Sequence, residues 1–152
     1  MKSLKPWLKR LVMAGLGVFL LIQLVPYGRD HSNPPVIRDP PWSSNKTREL
    51  AVGACYSCHS NETEWPWYSN VAPLSWLTQR DVDGGREELN FSDWEREEDD
   101  GDNAAESVAD NEMPPLSYAL ANPEARLDDR ERRALIRGLL ETVGGERDKP
   151  HD

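Results

Sequence analysis

The chain has 152 residues, with 27 acids against 18 bases and a formal net charge of −9. That length serves one domain of ordinary size. The acidic balance excludes nucleic-acid binding, which wants a basic face, and leaves an exterior suited to plain solubility or to a basic partner.

Taken in order, the first ten residues carry Lys2, Lys5, Lys9 and Arg10 and no acid, and residues 11–25 (LVMAGLGVFLLIQLV) have Gln23 as their one strongly polar member. A basic start before such a run predicts an export signal or a membrane anchor. As a helix the run spans roughly 22 Å, short of the ~30 Å hydrocarbon core, with Trp7 and Tyr27 placed to extend it at both interfaces. Val25-Pro26-Tyr27-Gly28 suits a signal peptidase poorly, and no cysteine ends the run. An uncleaved anchor over residues 1–27, meeting the membrane through residues 7–27, is therefore favoured over a removed signal. The basic flank places the N-terminus inside. The expectation is a single-pass protein of a bacterial inner membrane whose globular part faces the periplasm. Beyond residue 25 the chain holds 14 bases and 27 acids, so that part is near −13.

Residues 28–44 contain Pro34-Pro35 and Pro40-Pro41 among polar residues and read as an extended, semi-rigid tether. Ser44 or Asn45 then caps a helix that runs toward Cys58. Residues 60–73 hold Trp65, Pro66, Trp67, Tyr68 and Pro73, a rigid aromatic loop. A helix over about 74–89 follows, weakened in its middle by Gly84-Gly85. Residues 95–112 hold nine acids and one base, Arg96, which predicts a mobile loop with a short helix over 104–110. Met113-Pro114-Pro115 must be extended, because each proline restricts the residue before it. The clearest helix is the last. Asp128 with Glu131 fits its start, and Leu135, Ile136, Leu139, Leu140 and Val143 recur at helical spacing until Gly144-Gly145 ends it. No strand pattern and no internal repeat is visible. Residues 45–143 thus read as an all-α domain with long ordered loops, and residues 144–152 as a disordered tail. Aliphatic runs are few outside the last helix, so a flat apolar cofactor among tryptophans would supply missing interior.

Both cysteines of the chain lie in Cys55-Tyr56-Ser57-Cys58-His59. The C-x-x-C-H string is a signature of c-type haem attachment. Two thiols three residues apart on a helical turn point to one side and form thioethers with the two vinyl groups of one porphyrin, while the adjacent imidazole reaches the iron. Three other readings stand beside this one. A thioredoxin-like dithiol wants a βαβ context that is not visible. Zinc needs a fourth ligand from His31 or His151, both in tether or tail. A disulfide across two residues closes too small a loop to stabilise much. The haem reading leads. For the sixth ligand, Met113 is the one methionine beyond the apolar run, and its proline-stiffened segment suits holding a thioether against iron. The alternatives are a core-filling methionine or an open site.

The strings that carry most information are CYSCHSNETEWPWYSNVAPLSW (55–76), Asp81-Val82 followed by Gly85-Arg86, LNFSDW (89–94) and MPPLSY (113–118). From Asn33-Pro34-Pro35-Val36 to about Leu140 the chain resembles the bacterial haem-binding domain family of c-type cytochrome-like proteins. The resemblance implies a small cytochrome c-like helical domain with one covalent haem on Cys55, Cys58 and His59, and makes Met113 the natural distal candidate, so that both His59 and Met113 are metal ligands. Similar proteins carry a His-Pro pair after the M-P-P segment, where this chain has Asn122-Pro123, so no role of that histidine carries over. Trp65, Trp67, Tyr68, Trp76 and Trp94 read as haem-pocket wall or core rather than redox relays. Arg86 suits a haem propionate or a surface salt bridge equally. Asn61 and Thr63 are placed to cap the turn after His59, and a carbonyl of Pro66 or Pro73 is the expected acceptor for its Nδ1 proton. The expected function is membrane-anchored, periplasmic electron transfer with an unidentified redox partner and no catalysis of its own. The alternative is a haem-based sensor or an accessory subunit of a membrane complex. No distal His-Arg pair can be named, so a peroxidase ranks last.

Overall fold

The computed structural model describes residues 5–94 and 101–147. Among the described residues there are seven α-helices: α1 (Pro6–Ile22), α2 (Asn45–Ala54), α3 (Tyr56–His59), α4 (Leu74–Glu88), α5 (Gly101–Ala109), α6 (Leu116–Ala121) and α7 (Asp129–Arg147). Two 3₁₀ turns, Trp67–Asn70 and Pro123–Ala125, join them, and the one β feature is an isolated parallel bridge between Arg38 and Asp93. The all-α expectation holds. Residues 95–100, most of the acidic stretch, and residues 148–152 of the expected tail lie outside the described residues. The last helix runs past Gly144-Gly145 to Arg147, because two helical glycines weaken a helix without forming the left-handed cap that would stop it.

The membrane anchor needs correction. α1 is a 17-residue helix, and among the described residues no helix is long and apolar enough to cross a membrane. Seventeen residues rise about 25 Å against a ~30 Å hydrocarbon core, and Lys9 and Arg10 fall within the helix. Its far end is cut short by polar bonding. The Gln23 side chain accepts from Ala72 N at 3.0 Å and donates to Ala72 O at 2.9 Å, while Arg29 donates to Gln23 Oε1 at 2.9 Å and to its carbonyl at 2.8 Å. The single-pass anchor over residues 1–27, its membrane contact through 7–27, and the periplasm-facing inner-membrane location that followed are therefore overturned.

The chain divides into two compact units, Met1–Ser32 with Trp65–Asp81, and Asn33–Glu64 with Val82–Asp152. In the first, besides the Gln23 network, His31 stacks on Trp65 with centroids 4.8 Å apart, and its Nε2 meets the Ser69 hydroxyl at 3.0 Å.

The second unit contains a buried cluster of Leu50, Ala51, Ala54, Tyr56, Leu89, Phe91, Trp94, Ala105, Val108, Leu135 and Leu139. α2 begins where Ser44 Oγ accepts the Thr47 amide at 3.1 Å, an N-cap that satisfies an otherwise orphaned donor. α2 crosses α7 at Gly138, where the Thr47 side chain fills the space a Cβ would need. Ser43 fixes the crossing, its amide donating to Thr142 Oγ1 and its hydroxyl to the Gly138 carbonyl, both at 3.1 Å. The buried stripe of α7 is thus Leu135, Leu139 and Thr142, whereas Leu140 is exposed. Residues 33–42 run extended, as their prolines dictate. They are pinned by Ile37 N to Ser92 O at 2.8 Å and by Asn61 Nδ2 to Pro35 O at 2.9 Å.

Candidate functional site

Cys55 closes α2 as its C-cap, and one further turn, α3, carries Cys58 and His59. The amides of Cys58 and His59 both bond to the Cys55 carbonyl, at 3.1 and 2.9 Å, so the string is wound into one helical turn. Neither cysteine is in a disulfide, and both are half-buried. Burial, and secondarily the neighbouring Cys58, pushes the Cys55 thiol up to about 12. A thiol so displaced stays protonated, the opposite of the lowered value a dithiol redox centre uses. Among the described residues no group of three or more His, Cys, Asp or Glu is arranged to hold a bare metal ion; His151, one of the two candidates for a fourth zinc ligand, lies outside the described residues.

His59 Nδ1 lies 3.2 Å from the Leu89 carbonyl. A carbonyl can only accept, so the proton sits on Nδ1 and the Nε2 lone pair is left for a metal. Burial chiefly lowers the His59 pKa, with the Leu89 carbonyl opposing, so the ring is neutral near pH 7, the form a metal requires. The acceptor is thus Leu89 rather than Pro66 or Pro73. Its place follows from local bonding. Phe91 N donates to His59 O at 2.8 Å, Asn61 N to Ser92 Oγ at 3.0 Å, and Asn90 Nδ2 to Asn61 Oδ1 at 3.0 Å, so the 89–94 strip is stitched along the residues after the turn. Behind the strip, Phe91 stacks between Tyr56 and Trp94, with centroids 5.6 and 6.0 Å away.

Gly85 supplies the other wall. A Cβ there would stand 2.6 Å from the Cys58 carbonyl oxygen and 2.9 Å from its carbon, while one on Gly84 would meet nothing within 4 Å. The Gly-Gly pair that sequence reasoning took for a weakness in a helix is, at its second member, a seat for the cysteine turn. A conspicuous glycine inside an otherwise helical pattern is the signal that could have found it.

Met113 lies in the same unit, half-buried, against the same core as Cys55. Its amide donates to Ser107 O at 3.0 Å, and Arg132 of α7 donates to the Val108 carbonyl at 2.8 Å and reaches the Met113 carbonyl at 3.5 Å. Arg86 is also in this unit. Its Nε donates to Ser60 O at 2.8 Å and its Nη2 to Asn33 Oδ1 and Thr63 Oγ1 at 2.9 and 3.0 Å, so it braces the chain after His59. Asn122, which stands where similar proteins have a histidine, ends α6 by donating from its side chain to Tyr118 O at 3.0 Å. Trp65, Trp67 and Tyr68 fall in the first unit, Trp65 against His31 and Trp67 edge-on to Tyr68 with 78% of its surface exposed. Sequence reasoning missed the hydroxyl of Tyr118, which donates to Ser57 Oγ at 2.6 Å, and the guanidinium of Arg132.

Two thiols on one turn, a neutral imidazole whose Nε2 carries no proton and a thioether on the same core form a donor set that fits haem. A family model of the haem-binding domain matches residues 17–141. No curated protein and no solved structure matches the chain. With that match over most of its length and a donor set to suit, the chain belongs to the haem-binding domain family, and its cofactor is haem.

Proposed function

We propose that this protein is a monohaem electron carrier. Its haem is covalently held by Cys55 and Cys58, with His59 Nε2 as proximal and Met113 sulfur as distal iron ligand. The observation that carries the reading is the Nδ1 contact of His59 with the Leu89 carbonyl, on the same turn as two thiols outside any disulfide. Cys55 and Cys58 would hold the porphyrin as thioethers, one thiol to each of its two vinyl groups. When bound, haem supplies the one-electron couple. The chain's own part is to hold His59 in one tautomer and to present a soft sulfur, a ligand pair that raises the potential and favours electron transfer. It performs no catalysis of its own and exchanges electrons with another redox protein.

A pyridine haemochrome spectrum tests the attachment. The α band takes the position of two thioether bonds, and Cys55→Ala shifts it; an unshifted band means the thiols are not bonded. The ferric wild type shows a thioether-to-iron band at the red end of the visible spectrum, and Met113→Ala abolishes it. High-spin five-coordinate iron in the resting wild type overturns the carrier reading and favours a ligand-sensing one.

A further inference from the structure

The segment that carries Met113 is fastened to the cysteine turn at a distance. Tyr118, five residues on, donates its hydroxyl to Ser57 Oγ at 2.6 Å across 61 residues of sequence. Ser57 is the second of the two residues between the cysteines, with no thiol and no ligand role of its own. Between Met113 and Tyr118 lie Pro114 and Pro115, whose fixed φ leaves few joints, and Ala119 N bonds back to Pro115 O at 3.0 Å. The stretch from 113 to 118 is therefore a short stiff strut. A displacement at Tyr118 reaches Met113 little diminished.

Apolar packing holds Met113 against the core at one end but does little to fix the rest of the strut. α6 has no buried residue, and Leu116 and Leu120 are 74% and 66% exposed. At the other end Met113 N on Ser107 O and Arg132 on the Val108 carbonyl tie the strut to α5 and α7, neither of which carries a haem ligand. The Tyr118–Ser57 bond runs instead to the turn holding both thiols and His59.

We infer that Tyr118 is a positioning residue whose hydroxyl, through Ser57, sets the seat of Met113 relative to the turn that bears the proximal ligand. The inference rests on the reading of Met113 as the sixth ligand. One neutral hydrogen bond is worth about 0.5–1.5 kcal/mol, which corresponds to roughly threefold to tenfold in the competition for the iron.

The experiment uses the ferric haem-loaded protein and imidazole as the competing sixth ligand, followed by loss of the far-red thioether band. Tyr118→Phe and Ser57→Ala are each expected to tighten imidazole binding roughly threefold to tenfold. The double variant should gain no more than either single one, because each removes the same bond. Ser57→Thr keeps a hydroxyl and should stay near wild type. A purely structural role would lower the unfolding midpoint and leave imidazole affinity at 25 °C untouched. That result, or additive effects in the double variant, overturns the inference. If the wild type shows the band and Met113→Ala removes it while Tyr118→Phe changes nothing, the inference alone fails. If the wild type has no such band, the ligand reading fails and takes the inference with it.

Discussion

Around His59 the chain bonds to itself mainly through the backbone: His59 N to Cys55 O at 2.9 Å, Phe91 N to His59 O at 2.8 Å, and the imidazole to the Leu89 carbonyl at 3.2 Å. Beneath these bonds Phe91 is 1% exposed. Around Met113 the arrangement differs. α6 buries no residue, and beside one backbone bond, Met113 N to Ser107 O, long side chains make the connections, Arg132 on one side and Tyr118 on the other. Backbone bonds over a packed ring leave the imidazole one orientation, whereas a strut held by side chains can be adjusted by single substitutions. A fixed proximal side and a tunable distal side suit a haem whose potential depends on how firmly the sixth ligand is held.

The largest expected effects lie on the proximal side. Phe91→Ala removes the ring between Tyr56 and Trp94 and should cost about 3–5 kcal/mol in urea unfolding followed by circular dichroism. Leu116→Ala, on the distal side, should stay within about ±0.5 kcal/mol, as befits a side chain in water. If the two costs came out alike, the contrast between the sides would be lost. Next in size is a pair of neighbouring glycines with opposite outcomes. Gly85→Ala drives a Cβ against the Cys58 carbonyl and should cost about 1–3 kcal/mol. Gly84→Ala meets nothing and should gain up to about 1 kcal/mol from helix propensity alone. Equal effects at 84 and 85 would mean that α4 does not seat the cysteine turn.

Much of this was legible in the sequence. The helices over 45–54 and 74–88 and the start of the one over 129–147 follow from caps and periodicity, and the thiol–thiol–imidazole turn from a five-residue string. What stayed hidden depends on which segments meet. Leu89 offers only a carbonyl, which every residue has, so nothing in its type marks it as the partner of His59. Gly85 declares itself by lacking a side chain, but not what occupies the space. Ser57 and Tyr118 are 61 residues apart and individually ordinary. The anchor failed for a different reason. Hydropathy counted Gln23 as one blemish in an apolar run, whereas its amide makes two bonds to Ala72 and ends the helix at Ile22. Composition also could not place Trp65, whose ring stacks on His31.

The smallest expected effect tests how the distal side is hung. Asp128 accepts the amides of Arg130 and Glu131 at 2.7 and 2.8 Å, while Glu131 Oε2 accepts the Asp128 amide at 3.0 Å, a reciprocal cap on α7. Those amides, from Glu131 first and Arg130 next, hold the Asp128 carboxyl below the usual carboxylate range. Arg132 lies in the turn this cap organises, its own amide on Asp128 O at 2.8 Å, and it is Arg132 that grips the Val108 and Met113 carbonyls. A carboxyl depressed by folding stabilises fully above its unfolded value, near 4, and that contribution is lost as pH falls through the lower folded value. At pH 6, Asp128→Ala should therefore speed amide hydrogen exchange at Met113 more than at Phe91. The stability gap between the variant and wild type should close as pH drops below about 4. Equal acceleration at both amides would show that the first turn of α7 supports the whole unit. A gap that persists in acid would show that the cap does not act through the Asp128 charge.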